Sequence, residues 1–182
     1  MSNRHNVFVS YYHADDEDYR NEFDRICQDA NITVSKSVNI GDIDNGNNTD
    51  TVMRIIRDQY LRDATVTAVL IGPNTWKRKY VDWEIAASLR STRHNSRNGL
   101  LGIFLPEHPD YGQSEFNKFI IPPRLADNTG NGYAKVYDWK DDPSLISNWI
   151  HRAFQDRHQI LPDNSRPRFA NNRPVHQQQW QP

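Results

Sequence analysis

Short apolar runs alternate with longer segments of helical periodicity through residues 1–159 of the 182-residue chain. The runs at 65–71 and 100–105 are almost wholly apolar, which is typical of strands that are covered on both faces. Three further runs with strand character lie at residues 6–10, 33–37 and 133–137. The pattern therefore predicts five strands.

Helical periodicity occupies the intervals between these runs. The predicted helices are residues 15–30, 50–62, 80–94 and 143–158. The last begins at a strong start signal, since Asp142 can cap the helix and Pro143 suits its first turn. Thr49 is the predicted N-cap of the second helix. The stretch 106–132 is rich in Pro, Gly and Asn, and it predicts a short irregular connection around residues 116–121.

Strands that alternate with helices predict an α/β fold, in which helices flank a five-stranded parallel sheet with right-handed crossovers. In the common strand order 2-1-3-4-5, the first and third strands are neighbours whose crossovers leave in opposite directions. Ligands of such sheets bind in the crevice where those two strands end. We therefore expect residues 10–16 and 72–84 to line a ligand site.

The composition changes at residue 160. Residues 160–182 contain four prolines, four glutamines and three asparagines, without periodicity. Such a segment buries too little apolar surface to offset the loss of chain entropy on ordering. The sequence thus predicts a single domain over residues 1–159 and a polar, flexible C-terminal tail over residues 160–182, in which Trp180 is exposed to solvent.

The charge and cysteine content exclude several classes of protein. The formal net charge is −1, from 22 basic and 23 acidic residues, so no overall field favours nucleic acid or an anionic membrane as a partner. The single cysteine, Cys27, excludes an intramolecular disulfide framework and a Cys-rich zinc site. No apolar run reaches 18 residues, and the N-terminus lacks the apolar region of a signal peptide. We therefore expect a cytoplasmic protein that binds neither nucleic acid nor membrane.

Several ligand sites of this fold class are excluded by motif. The turn after the first strand, SYYHADDED, lacks the glycines that let backbone amides approach a flavin or dinucleotide phosphate. The third strand ends in VLIGPN, without the aspartate of a phosphate-accepting receiver domain. Residues 41–50 resemble a calcium loop only in part, because the glycine comes one position early and Met53 stands where a bidentate glutamate belongs. A flexible loop fits better there, and no metal site is predicted.

One acid of the third predicted helix lies close to the expected crevice. Glu84 follows Tyr80 by four residues and so shares an edge of the helix with it. Two interpretations stay open. Glu84 is either an acid of the ligand site or a surface residue paired with Lys77 or Arg78. The basic run that contains these two cations is likewise either a solvated patch or an attractor for phosphate.

Two motifs at these positions resemble those of TIR domains. VFVSYYHADD, residues 7–16, is similar to the first TIR box, in which a strand leads into Ser-Tyr and a polar turn. GPNTWKRKYVDWEI, residues 72–85, is similar to the box that ends in an aromatic residue, three further residues and glutamate. Over residues 66–89, and at Tyr-Asp-Trp 137–139, the chain resembles the TIR-like proteins of bacterial Thoeris antiphage systems. The resemblance covers about residues 5–159 and implies a TIR/flavodoxin-like fold.

The resemblance also implies that the protein cleaves NAD. Tyr80 takes the usual tryptophan position, and Glu84 takes the position of the catalytic glutamate of NAD-cleaving TIR enzymes. The substrate-binding residues that it implies are Phe8, Ser10, Tyr11, Tyr12, His13 and Tyr80. Nicotinamide is a cation within NAD and leaves as a neutral molecule, so one carboxylate that stabilises an oxocarbenium-like ribose is enough. NAD is then the substrate, and no cofactor or metal is required.

The implied role is antiphage immunity. Such an enzyme releases nicotinamide and makes a signal derived from ADP-ribose, a cyclic ADP-ribose isomer, which activates a separate effector. A phage protein as trigger and self-association are further implied contacts. One departure from the family concerns phosphate binding, because many TIR enzymes carry arginine just after the first Ser-Tyr, where this chain has Tyr12 and His13. Two alternatives stay open: a non-catalytic TIR interaction module, and a simple NAD hydrolase that acts by depleting NAD.

Overall fold

The computed structural model describes residues 5–35, 46, 48–93 and 95–182. Within those residues, five strands form one parallel sheet in the order β2-β1-β3-β4-β5. The strands are β1 (Asn6–Ser10), β2 (Thr33–Val34), β3 (Val66–Ile71), β4 (Gly99–Phe104) and β5 (Ala134–Asp138). The predicted α/β fold class and strand order are therefore confirmed.

Helices cover both faces of the sheet. They are α1 (His13–Asp29), α2 (Thr49–Ile55), α3 (Lys79–Ser88), α4 (Pro123–Gly130) and α5 (Pro143–Gln159). A π-helical turn, Ile56–Tyr60, continues α2. Helices α1 and α5 pack on one face of β1, β3 and β4, while α3 and α4 cover the opposite face of the sheet together with α2. This two-faced cover explains why β3 and β4 are buried at every residue.

The start of α5 follows its sequence signal, whereas the N-cap of α2 and the end of α3 differ from the prediction. Asp142 accepts hydrogen bonds from the backbone N–H groups of Ser144 and Leu145, as expected of an N-cap. The N-cap of α2 is Asn48 rather than Thr49, because the Asn48 side chain accepts from the N–H group of Thr51. Helix α3 ends at Ser88, six residues before the predicted end at 94, where the chain turns toward β4.

Helix α4 lies in the stretch 106–132, where the sequence predicts an irregular connection around residues 116–121 but no helix. Pro123 occupies its first turn, and its buried face carries Arg124 and Asn128 beside Leu125. Two large polar side chains on the buried face interrupt the apolar stripe by which a helix is recognised. The buried position of Arg124 is possible because its guanidinium pairs with Asp82 of α3, with Nε and Oδ1 3.0 Å apart.

Residues 160–182, which we call the C-terminal segment, contain no helix or strand, but they lie against the domain. Trp180 is only 2% exposed, so its predicted exposure to solvent is wrong. Its indole Nε1 donates to the carbonyl of Ile121 at 2.8 Å, and its backbone N–H donates to Phe119. The composition of the segment does not predict this packing, because hydrogen bonds to the domain and the burial of Trp180 against it hold the chain, rather than an apolar pattern within the segment. The boundary at residue 159 and the flexibility of the segment stay predictions.

Two other expectations concern loops and membranes. The loop at 41–50, which resembles a calcium loop in part, lies largely outside the described residues. No helix in the described part of the chain combines the length and the apolar character that crossing a membrane requires.

Candidate active site

The sheet topology creates a crevice at the carboxyl ends of β1 and β3. The register pairs Val7 with Val66 and Ser10 with Val69, so these two strands lie side by side and run the same way. Their crossovers leave toward β2 on one side and β4 on the other. Such a reversal of strand order opens a crevice in which ligands of α/β sheets bind. The two segments that the sequence predicts to line it therefore do meet.

Glu84 lines this crevice and is buried. Its side chain projects from α3, and its Oε2 accepts a hydrogen bond from the hydroxyl of Ser10 at 2.5 Å. Only 5% of Glu84 is exposed, and α3 is buried on nearly all sides from Val81 to Ser88. The interpretation of Glu84 as a surface residue paired with Lys77 or Arg78 is therefore wrong.

Burial changes the ionisation of this carboxyl group. Loss of hydration raises the pKa of Glu84 to about 8, and the hydrogen bond from Ser10 acts in the opposite direction. The carboxyl group is thus mostly protonated at neutral pH when the cavity holds no cation. A positively charged ligand would favour the carboxylate, because an opposite charge nearby lowers the pKa of an acid.

An aromatic cavity of about 250 Å³ adjoins Glu84. It is lined by Tyr11, Tyr12, His13, Ala14, Arg78, Tyr80, Val81, Glu84 and Asn172. The rings of Tyr11 and His13 pack with their centroids 4.1 Å apart. Three tyrosines beside one carboxyl group give a cavity that is suited to a flat aromatic ring with a polar or cationic substituent.

Most of the residues that the family resemblance implies come together in this cavity. Five of them contribute to its lining: Tyr11, Tyr12, His13, Tyr80 and Glu84. Ser10 is fully buried beneath the cavity and reaches it through Glu84. Phe8 does not line it. Phe8 shares a face of β1 with Ser10 but lies two residues further from the carboxyl end, where it packs in the core with Trp83.

Asn172 is the one lining residue outside the two segments that the sequence predicts to line the crevice, and Arg78, although inside one of them, was not singled out as a binding residue. Arg78 belongs to the basic run 77–79, for which one of the two open interpretations is a solvated patch. That interpretation is wrong for Lys77, which is buried and donates from Nζ to the carbonyl of Val175 at 2.7 Å. Asn172 comes from the C-terminal segment, and its Oδ1 accepts from the N–H of Lys79 at 2.9 Å. No sequence pattern marks Asn172, since its role depends on how the segment folds back.

A second buried acid, Asp16, lies near the same ends of the strands. Its carboxylate packs against Gly72, where a Cβ atom would come within 2.6 Å of the Asp16 oxygens. Burial, followed by the charge of Asp15, raises the pKa of Asp16 to about 7. Thr75 Oγ1 lies 3.4 Å from Asp16 Oδ2. Glycine at position 72 therefore leaves room for an acid between α1 and the loop after β3.

Within the described residues, no group of three or more His, Cys, Asp or Glu side chains has the arrangement of a metal site. Cys27, the only cysteine, is buried, and burial raises the pKa of its thiol to about 12.

Comparison with known families agrees with the two sequence motifs. The family model described as the Thoeris protein ThsB, TIR-like domain, matches residues 8–110, which is more than half of the chain. The chain belongs to this family. It is a TIR-domain protein of Thoeris antiphage defence. The matched range contains Ser10, Arg78 and Glu84, whereas Asn172 and Trp180 lie outside it.

One solved structure is similar to this chain at low identity. It is the activated Roq1 resistosome directly recognising the pathogen effector XopQ (TIR domains), with a TM-score of 0.40 and 10% sequence identity over 85% of this chain and 84% of that chain. No curated protein matches the sequence.

Proposed function

We propose that this TIR protein is an enzyme that cleaves the bond between nicotinamide and ribose in NAD. The observation that carries the proposal is the buried Glu84 carboxyl, hydrogen-bonded to Ser10 at 2.5 Å and adjoining a cavity lined by three tyrosines. A buried acid with a strongly raised pKa in a concave site is a feature of catalytic centres. The aromatic lining suits the flat nicotinamide ring.

The proposed step needs one carboxylate. Breaking the bond from the ribose C1′ to the ring nitrogen returns the bonding electrons to nicotinamide, which leaves neutral, while positive charge develops on the ribose. The Glu84 carboxylate stabilises that charge and accepts hydrogen bonds from the ribose hydroxyls. The cationic nicotinamide ring of bound NAD favours the ionised form of Glu84 before the bond breaks. Tyr11, Tyr12 and Tyr80 supply stacking surfaces, and His13 a polar contact.

The fate of the ribose decides the product. Attack by water gives linear ADP-ribose, whereas attack by an atom of the ADP-ribose itself closes a ring. We propose the second outcome, a cyclic ADP-ribose isomer that acts as a signal for a separate effector, because the family belongs to a defence system. A phage component would then switch the enzyme on. Simple hydrolysis that depletes NAD is the competing outcome.

The test is product analysis with purified protein. NAD is incubated with the wild type and with Glu84→Gln, in the presence and absence of phage lysate, and the products are separated by chromatography and identified by mass. The variant keeps the size of the side chain but removes its charge, so we expect nicotinamide release to fall on the order of 10²- to 10³-fold. Glu115→Gln, a surface substitution outside the cavity, is the matched control.

The outcomes separate the three hypotheses. A cyclic product that requires Glu84 supports the proposed function. Linear ADP-ribose as the sole product indicates a simple NAD hydrolase. A wild-type protein that never releases nicotinamide, with or without lysate, refutes the enzymatic proposal and favours the interaction module.

A further inference from the structure

Arg78 lines the Glu84 cavity and has an unusual environment for an arginine. Its guanidinium carbon lies 3.8 Å from the centroid of the Tyr12 ring, at the distance of a cation–π stack. Its Nε is buried and has no hydrogen-bond partner in the described part of the chain. No carboxylate of the described residues forms an ion pair with it either. The positive charge of Arg78 therefore remains available at the wall of the cavity.

The backbone on both sides of Arg78 is anchored by the C-terminal segment. The carbonyl of Lys77 accepts from the N–H of Arg173 at 2.8 Å. On the other side, the N–H of Lys79 donates to Asn172 Oδ1 at 2.9 Å. The stack on the Tyr12 ring also restricts the Arg78 side chain. A half-buried arginine that is held this firmly is preorganised, so little conformational entropy is lost when it binds a ligand.

Charge indicates which ligand group Arg78 would contact. Among the nine lining residues it is the one side chain with a permanent positive charge, and Glu84 is the one carboxylate. The lining of the cavity therefore contains one acidic and one basic side chain. A ligand that carries a cation at one end and an anion farther along matches this pattern.

The size of the cavity indicates where that anion would lie. About 250 Å³ is less than the roughly 300–1,000 Å³ of pockets that enclose a drug-sized ligand. The cavity can therefore enclose one end of a dinucleotide, and the remainder has to leave through the mouth. In NAD the diphosphate follows the first ribose directly.

We propose that Arg78 binds the diphosphate of the dinucleotide substrate and thereby makes the enzyme prefer NAD to substrates without phosphate. This inference rests on the proposed function and assigns a specificity-determining role to a residue of the loop after β3. Arginine suits the role because its planar group can stack on Tyr12 while its N–H edges donate to phosphate oxygens. Lysine would keep the charge but lose the stack.

The test compares ligands with and without the diphosphate. Binding of ADP-ribose is measured by calorimetry for the wild type, Arg78→Gln, Arg78→Lys and the control Lys79→Gln, whose side chain does not line the cavity. The kcat/KM values for NAD and for nicotinamide riboside, which has the same scissile bond but no phosphate, are measured in parallel. Melting temperatures show that each variant is folded.

We expect Arg78→Gln to weaken ADP-ribose binding and to lower kcat/KM for NAD by roughly 10- to 100-fold. Its kcat/KM for nicotinamide riboside should stay within twofold of the wild type, Arg78→Lys should be intermediate, and Lys79→Gln should be unchanged. Equal losses on both substrates, or no loss on either, would overturn the inference.

Failure of the proposed function gives a different result. A wild type that binds ADP-ribose through Arg78 but never cleaves NAD refutes the enzyme and leaves the diphosphate site standing. A wild type that cleaves NAD while Arg78→Gln binds ADP-ribose normally refutes the diphosphate site alone. A wild type that neither binds ADP-ribose nor cleaves NAD refutes both.

Discussion

The hydroxyl of Ser10 donates a hydrogen bond of 2.5 Å to Glu84 Oε2, across 74 positions of the sequence. Both side chains are buried, Ser10 at the carboxyl end of β1 and Glu84 in α3. The contact therefore joins the two motifs that resemble TIR boxes. Because a hydroxyl donor stabilises the carboxylate over the carboxylic acid, Ser10 both orients Glu84 and opposes the effect of burial on its pKa.

Ser10→Ala should move the pH dependence of NAD cleavage. In the wild type, kcat/KM should rise with pH and level off above about 8, the pKa of Glu84 in the free enzyme. Loss of the hydroxyl removes the contact that favours the carboxylate, so the profile should move to higher pH by roughly one unit. The measurement is kcat/KM for NAD from pH 6 to 10.

Ser88, a buried serine of α3, provides the control for this experiment. Ser88 donates to the carbonyl of Ile85 and does not line the cavity, so Ser88→Ala should leave the profile unchanged. Low activity of Ser10→Ala at every pH, without a displaced profile, would mean that Ser10 acts only by holding the structure.

Protein stability should decline between about pH 4.5 and pH 8 because of Glu84. Unfolded Glu84 releases its proton near pH 4.5, whereas the folded protein retains it up to about pH 8. Within this window the folded state binds more protons, so its stability falls as pH rises, by at most about 1.4 kcal/mol per pH unit for one group. Glu84→Gln should flatten the decline, measured as the free energy of unfolding in urea from pH 5 to 9.

Asp16 contributes a second decline of the same sign. Its pKa is raised from 3.8 to about 7, so its share should end about one pH unit below that of Glu84. The unfolding free energy of Glu84→Gln should therefore still decline as pH rises toward 7. Adding Asp16→Asn to that variant should remove this remaining decline. Identical slopes in all three proteins would show that neither acid retains its proton on folding.

The sequence was sufficient to predict the sheet and the place of the site. Alternating apolar runs and helical segments predict a parallel sheet, because parallel strands require crossovers, and the strand order that the structure shows is the common one for such sheets. Once the order is fixed, the chain after β1 and the chain after β3 must meet at one edge. Glu84 was correctly located there, but its burial was not predicted, since periodicity along α3 does not show that helices and the C-terminal segment enclose it on several sides.

Features that depend on contacts between distant polar groups could not be predicted. Helix α4 was missed because Arg124 and Asn128 occupy its buried face, and Arg124 becomes compatible with the interior only when Asp82 pairs with it. The packing of the C-terminal segment was missed for a similar reason. Trp180 is buried by residues of the domain, and no local pattern around it records that surface.

Removal of the C-terminal segment should destabilise the domain and impair NAD cleavage. Trp180 packs edge-on against Phe119 with ring centroids 4.9 Å apart, and its burial suggests that Trp180→Ala costs about 3 kcal/mol of unfolding free energy. Deletion of residues 160–182 should cost at least as much, and it also removes Asn172 from the cavity wall. Urea unfolding and nicotinamide release measure the two effects.

The exposed Val175 of the same segment gives the matched control for Trp180. Its side chain is 77% exposed, so Val175→Ala should change the unfolding free energy by less than about 0.5 kcal/mol. A truncated protein with wild-type stability and activity would show that the C-terminal segment does not pack on the domain in solution.

Breaking the buried ion pair between Asp82 and Arg124 should be among the most damaging substitutions in the described chain. The two side chains are 2% and 1% exposed, and Asp82 also accepts from the N–H of Phe169, which ties α3, α4 and the C-terminal segment together. Asp82→Ala leaves the Arg124 charge buried without its partner, which typically costs about 3–5 kcal/mol of unfolding free energy. Urea unfolding measures the loss.

A double variant tests whether the loss comes from the stranded charge. Asp82→Leu with Arg124→Met replaces both groups by apolar ones, so it should unfold at a higher urea concentration than Asp82→Ala, although it has two substitutions. Glu22→Gln breaks an exposed pair with Arg25 and should leave the unfolding midpoint unchanged. If the double variant were less stable than Asp82→Ala, the hydrogen bonds from Arg124 to the carbonyls of Arg166 and Pro167 would outweigh the penalty of its unpaired charge.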